Sequence, residues 1–325
     1  MFAIGAVLFA LVPASVGATT PGQNGLIGFR RITADGNTSA LFVMNPDGSR
    51  ERQITFPTDG VMDQLGGWSP DGTQLAFTRN VPCGEDCGRD DLYVVSADGS
   101  NLHHLVTPIT TVEAPAWSPD GEWIAFPYST GDEGAISHSI WEIRVDGSDL
   151  HQVTYPAPNV AEDTGVQFSP DGTRLVIERD LASCGWCPAI FTVDATDGGN
   201  PVRVSPRGAN GFDHPDWSPD GRWIVFRTQS GRSGASAVFV AHPDGTHLQM
   251  ILDGRRNGRG FKSSTFSPDG RQLVIAITPG VGADGNPDLW IGRFDATEHI
   301  DSLVPVTRTD VWESSPRWGT ATLLP

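Results

Sequence analysis

No stretch of this 325-residue chain keeps apolar residues at a 3.6-residue period, so amphipathic helices do not organise its core. Basic residues are few: 22 Lys and Arg stand against 39 Asp and Glu, a net charge of −17. That balance argues against nucleic acid, whose binding normally needs a clustered basic face, while selecting no positive partner. After the apolar run Phe2–Val12 no second hydrophobic span follows, and its eleven residues fall short of the about 20 that cross a bilayer. A Gly-x-Ser-x-Gly nucleophile elbow is missing. Gly231-Arg232-Ser233-Gly234-Ala235 comes nearest, but it breaks the pattern and precedes a strand, which argues against a serine hydrolase.

Cysteine is also sparse, with four residues in two local pairs, Cys83/Cys87 and Cys184/Cys187, and no odd thiol. In an oxidising compartment these read as two disulfides that hold the shape of a loop, since closing such short loops gives little chain-entropy stabilisation. Two alternatives share the spacing. Thiol–disulfide chemistry at Cys184-Gly185-Trp186-Cys187 needs its first thiolate at a helix N-terminus, and here the neighbours read as strands. A four-Cys zinc site would have to join pairs that lie two repeats apart. Export agrees with the disulfide reading: Phe2–Val12, Pro13 and the small-residue stretch Ala14–Ala18 look like a signal peptide cleaved after Ala18, although no Lys or Arg precedes the run. An uncleaved anchor and a mis-assigned start are the alternatives. The expected organisation is a signal over 1–18 and one domain over 19–325, located in the periplasm, at the cell surface or in the medium.

What the chain has in quantity is glycine (38) and proline (25), as suits many short strands joined by turns. They fall in a repeat. Trp68, Trp117, Phe168 and Trp217 each open an aromatic-Ser-Pro-Asp-Gly motif, as does Phe266, and a decayed copy follows at Trp318-Gly319-Thr320; the leading aromatics are 49, 51, 49, 49 and 52 residues apart. A period of roughly 40–50 residues is that of propeller blades. Ten of the 39 acids belong to the motif or to a second Asp-Gly series at Asp47, Asp98, Asp146, Asp197 and Asp244, so much of the negative charge is turn chemistry.

Each repeat reads as four strands. In the one around Trp117, a first strand leads to the motif, Ser118–Gly121 turns the chain, and Trp123–Phe126 returns; Ile140–Val145 and Leu150–Thr154 supply the third and fourth. The strand cores are apolar on consecutive residues, so both faces of each sheet are expected to be buried. Leu26–Phe29, Leu41–Met44 and Gln53–Thr55 lack a first strand, and Ser315–Trp318 is a first strand lacking the rest. Joining the two ends gives an all-β, six-bladed propeller of four-stranded blades, closed by the C-terminal strand, with no edge left open and no need of an oligomer.

From about residue 25 onward, Trp-Ser-Pro-Asp-Gly, the Ile-Ala-Phe strand that follows and segments such as Leu92–Ser100 resemble the WD-like repeats of TolB-like six-bladed propellers. TolB itself carries an N-terminal α/β domain that meets its envelope partners, and no counterpart of it is legible here, so the resemblance implies a binding role in general and not the Tol-Pal role. The motif style also resembles the propeller of prolyl-oligopeptidase-type enzymes, whose activity needs a separate hydrolase domain with the elbow already found missing.

Function is expected on the face opposite the motif turns, where the connecting loops vary and the axial channel opens. Four or five residues before the aromatics stand Asp63, Glu113, Asp163, Asp213, Lys262 and Glu313, equivalent positions that form a ring near the channel mouth. Such a ring would hold a cation such as Ca²⁺ or the basic segment of a partner; alternatively each carboxylate bonds its own loop. His138 and His214 fall on the same face but make a weak ligand set, and Arg255, Arg256 and Arg259 with Lys262 form a basic loop that is either solvated or meets an anionic partner. His103, His104, His151 and His247 start outer strands and read as solvent-facing. The leading functional expectation is an exported, non-catalytic module that binds a protein or peptide, and the alternative is an enzyme acting on a glycan or lactone with a divalent ion in the channel.

Overall fold

A computed structural model describes residues 20–84, 87–109, 114–129, 138–157, 160–181, 187–207, 211–229, 235–256, 258–278, 285–295, 300 and 302–324. The expected signal over 1–18 lies outside them. Apart from one 3-10 turn at Gly254–Arg256, the regular structure of the described chain is strand, in antiparallel groups of four that follow the repeat. The first group draws on both ends: β24 (Glu313–Trp318), β1 (Ile27–Ile32), β2 (Ser39–Met44) and β3 (Arg52–Gln53). The second runs β4 (Met62–Trp68), β5 (Gln74–Gly84), β6 (Cys87–Ser96) and β7 (His103–Ile109), and one parallel bridge, Ser39 to Met62, joins it to the first. The third is β8 (Ala116–Trp117), β9 (Trp123–Tyr128), β10 (Ser139–Arg144) and β11 (His151–Gln152). The fourth is β12 (Val160–Phe168), β13 (Arg174–Leu181), β14 (Pro188–Asp194) and β15 (Val202–Arg203). The fifth is β16 (Phe212–Trp217), β17 (Ile224–Thr228), β18 (Ala237–Ala241) and β19 (Gln249–Asp253), and the sixth is β20 (Gly260–Phe266), β21 (Gln272–Thr278), β22 (Asp288–Arg293) and β23 (Leu303–Pro305).

The motif makes the turn that its residues dictate. In its first copy Ser69 Oγ donates to Asp71 Oδ1 at 2.6 Å, the same carboxylate takes the Thr73 amide at 3.0 Å, and the Gln74 amide returns to Ser69 Oγ at 2.9 Å. Gly72 closes the turn in the left-handed region at φ +70, where a glycine meets no β-carbon penalty. The same bonds recur from Ser118, Ser169, Ser218 and Ser267.

The consecutive apolar runs are covered on both sides: Ile124, Ala125 and Phe126 are all fully buried, as are Leu75, Ala76 and Phe77. One face of each blade meets the blade before it and the other the blade after. First strands touch in sequence, β4 with β8, β8 with β12, β12 with β16, β16 with β20, β20 with β24, and β24 with β4. The outermost strand β11 keeps only two residues of the expected Leu150–Thr154, whereas β7 runs for seven. No helix among the described residues is long and apolar enough to cross a membrane.

Candidate functional site

Five of the six ring positions lie among the described residues; Glu113 does not. The carboxylates neither stand open nor turn back to their own loops. Asp63 and Asp163 are fully buried, and each takes two bonds from an arginine opposite it on the second strand, at 2.6 and 2.8 Å from Arg79 and again at 2.6 and 2.8 Å from Arg179. Arg227 reaches Asp213 with Nη2 at 2.9 Å, while its Nε lies 2.8 Å from Oδ1, near enough for charge pairing but out of line for a hydrogen bond. Arg31 Nε donates to Glu313 at 2.9 Å, and its other nitrogens clasp Glu51 at 2.6 Å. In the sixth blade the acid is replaced by Lys262, whose Nζ lies 5.1 Å from the Trp312 ring centre.

Charge in this ring is set by burial against pairing. Burial opposes ionisation of Asp213, but Arg227, His214 and Lys262 together hold its carboxyl below the usual carboxylate range. Burial and the repulsion of Arg227 lower Lys262, with Asp213 working the other way. At Glu313 burial wins and the carboxyl is raised, even though Arg31 itself is raised. The arginine gains from two carboxylates, whereas Thr307 and one arginine do not offset the glutamate's desolvation, to which the repulsion of Asp288 adds.

Beside the ring, three first strands turn into the left-handed region at one position, three residues before the aromatic: Gly165 (φ +49), His214 (φ +53) and Ser315 (φ +51). A β-carbon at 165 would lie 2.6 Å from Glu178 Cδ, so glycine there admits the Glu178 carboxylate, which accepts the His214 amide of the next blade at 2.6 Å. That bond helps hold His214 in a conformation that costs a non-glycine residue about 1–2 kcal/mol. Further bonds cross from blade to blade. Gln64 Nε2 donates to Ser315 Oγ at 2.9 Å, the Ser315 amide to Ser263 Oγ at 3.1 Å, and Thr265 Oγ1 to Asp216 Oδ2 at 2.7 Å. The void these first strands enclose is about 20 Å³, room for roughly one water.

The two expected histidines serve different acids. His138 Nδ1 meets Glu162 Oε2, and this contact, against burial and with help from Asp180, holds the Glu162 carboxyl below the usual carboxylate range. His214 Nδ1 lies 3.3 Å from Asp213 Oδ1. Among the described residues no three His, Cys, Asp or Glu side chains are grouped as a metal would need. Arg255 is exposed and bonded through Nε to Asp253 at 2.8 Å, and the Arg259 guanidinium lies 5.3 Å from the Trp290 ring centre. The side chains of Arg256, Cys83, Cys87 and Cys184 lie outside the described part; within it no cysteine is free.

The arginines are what the sequence reading missed. A signal was present, since Arg31, Arg79, Arg179 and Arg227 all stand three or four residues beyond the first apolar residue of a second strand. What the ring offers chemically is a rim of buried acid–arginine pairs around a narrow polar axis, with Asp213 Oδ1 and Glu313 Oε2 left without a hydrogen bond.

Similarity to other proteins agrees with this framework. An uncharacterised protein of Agrobacterium fabrum, Atu1656, is 30% identical over 193 residues, which make up 56% of this chain and 59% of that protein. The uncharacterised peptidase YuxL of Bacillus subtilis is 29% identical over 159 residues, 49% of this chain but 20% of that one. The chain thus spans less than two thirds of the length of either relative. Among solved structures, a candidate TolB from Agrobacterium tumefaciens superposes with a TM-score of 0.64 at 19% identity, covering 92% of this chain and 100% of that one. An oligogalacturonate lyase in complex with manganese gives 0.53 at 16%, covering 89% and 75%. Identities this low speak for the fold alone. The model of the TolB beta propeller domain matches residues 109–281, more than half of the chain, and the protein belongs to that family.

Proposed function

We propose that the chain is an exported, closed six-bladed propeller acting as a non-catalytic module that binds a protein or peptide at the loop-bearing mouth of its axis. The observation that carries this reading is the neutralised ring: Asp63, Asp163, Asp213 and Glu313 are each engaged by arginine around a void of about 20 Å³. A cation would have to displace an arginine from a buried carboxylate, which leaves that arginine unpaired and is costly. A polar rim that is fixed before the partner arrives loses little entropy on binding. The cyclic contact of first strands supports closure, and a closed ring stands as a monomer. In the same reading residues 1–18 are a cleaved signal, and Cys83/Cys87 and Cys184/Cys187 are disulfides that brace the mouth.

The test places a photo-crosslinking residue at His138 or Lys262, and as a control at Val304 on the outermost strand, in the chain expressed in its natural host. Both mouth positions are expected to capture one and the same protein that Val304 does not. Equal capture from all three positions, or none from the mouth, overturns the reading. Parallel melts with Ca²⁺ or Mn²⁺ are expected to be flat. A rise in Tm that disappears in Asp63→Asn would instead favour a metal-assisted enzyme acting on a glycan or lactone.

A further inference from the structure

The motif-turn face, opposite the proposed mouth, carries a feature that the repeat makes visible. On the third strands six residues occupy one register position: Val43, Val94, Glu142, Thr192, Val240 and Ile291, opposite Gly28, Ala76, Ala125, Val176, Val225 and Val274. Five are β-branched and the sixth is a glutamate. Its side chain is nine-tenths buried, and its Oε1 has no hydrogen-bond partner. Leaving such an oxygen unsatisfied is unfavourable by about 1–3 kcal/mol, so a third strand built only for packing would not place it there.

A small residue leaves space beside it. Ala97, Val145, Ala195 and Phe294 hold one position of the repeat, their amides bonded to the carbonyls of Thr73, Glu122, Thr173 and Arg271 at 2.8, 3.1, 3.0 and 2.8 Å. Between the fifth and sixth blades Phe294 fills the junction, 5.0 Å from the Phe266 ring centre and 6.5 Å from that of Trp223. Between the third and fourth blades the counterparts are Trp123, Phe168 and Ala195, and with no ring at 195 the junction holds an open cleft of about 870 Å³. That volume suits a small molecule. Its walls are Trp123, Phe168, Pro119 and Ala195, and four carboxylates line it, Glu142 within and Asp71, Asp120 and Asp171 at the turns, beside His151, Ser118 and Thr196. A histidine and an arginine stand nearby. His151 Nε2 is 3.9 Å from Glu142 Oε2, and Arg144 covers a face of Trp123 at 4.3 Å while already bonded to Glu122 and Asp149.

We propose that this cleft binds a small organic cation, with an ammonium against Glu142 and Asp120 and an apolar or aromatic body between Trp123 and Phe168. An ammonium supplies the donor that Glu142 Oε1 lacks, and the apolar walls take the rest. Burial, with Asp120 adding, pushes the Glu142 carboxyl up to about 7, so at pH 8 it is mostly ionised and suited to a cation. The site is independent of the mouth and of any partner bound there.

Calorimetry at pH 8 with phenethylammonium, phenylacetate and Nα-acetyl-lysine amide tests it. Phenethylammonium is expected to bind saturably, phenylacetate at least about tenfold more weakly, and the lysine amide more weakly than phenethylammonium. Ala195→Phe, which copies the filled junction, is expected to abolish binding while the near-UV circular dichroism stays native; Ala195→Leu replaces it if that variant does not fold. Glu142→Val is expected to weaken binding at least about tenfold. Equal affinity for both ions, no binding of the ammonium, or binding that survives the filled cleft overturns the proposal. Tighter binding of the lysine amide overturns the small-molecule assignment in favour of a lysine-bearing peptide.

Discussion

Glu142 and the ring carboxylates show how differently a buried acid is treated when it has a partner and when it has none. Asp63 sits at 0% exposure with a two-pronged arginine, whereas Glu142 meets only a histidine at 3.9 Å, and its carboxyl is pushed from 4.5 up to about 7. The folded state therefore holds that proton more tightly than the unfolded chain does. The group's contribution to stability is complete below about pH 4.5 and is lost as pH rises to about 7, a swing of roughly 3 kcal/mol. Glu142→Val, the residue found at three equivalent positions, is accordingly expected to be more stable than the parent. In urea titrations its advantage should grow between pH 5 and 7 by about 2–3 kcal/mol and level off above. An advantage that is the same at pH 5 and pH 8 would show that the carboxyl is not held neutral by burial.

At the scale of the element, the motif turn is the part of this fold most open to reading from sequence. Ser, Pro, Asp and Gly at fixed offsets specify a turn through their own side-chain bonds, and the copies agree bond for bond. What the copies touch is not legible, because it depends on which blade follows. Gly72 and Gly121 share the left-handed φ, +70 and +75, yet a β-carbon at 121 would rest 3.6 Å from Pro70 Cδ, while one at 72 would fall 2.5 Å from the backbone nitrogen of Ala321. Gly121→Ala is expected to cost about 1–2 kcal/mol for the conformation alone. Gly72→Ala should cost several kcal/mol, because the C-terminal segment has to move. Equal losses of Tm in the two variants would refute this. The site follows the same division. The acids of the ring could be located because they stand four or five residues before each aromatic, and their arginines went unnoticed because an ion pair across strands is a property of register. The cleft escaped for a related reason: an absence, Ala195 where another blade has Phe294, becomes visible only when the blades are laid over one another.

For the whole molecule the decisive contact joins the ends. Strand β24 pairs with β1 from Ile27 opposite Trp318 to Arg31 opposite Glu313, and it touches β20 on one side and β4 on the other. It places Trp318 in the core with Ile27, Phe29 and Val274, and Glu313 against Arg31. A chain ending at Asp310 would lose all of these contacts together. It would leave Arg31 without its buried partner, β1 as an exposed edge, and the sixth and second blades with bare inner strands. Because each blade packs against two neighbours, the loss is not confined to one sheet, and local fraying is not the expected outcome. The truncated chain should melt at least about 10 °C lower or self-associate, a loss of many contacts at once, since a 1 kcal/mol change moves Tm by about 2–4 °C in chains of roughly 150–250 residues and by less in a longer one. A synthetic peptide spanning 311–325, added in excess, should restore both the melt and the monomer by mass action. A truncated monomer with the parent's Tm in sedimentation and calorimetry would mean that the ends are not what holds the ring.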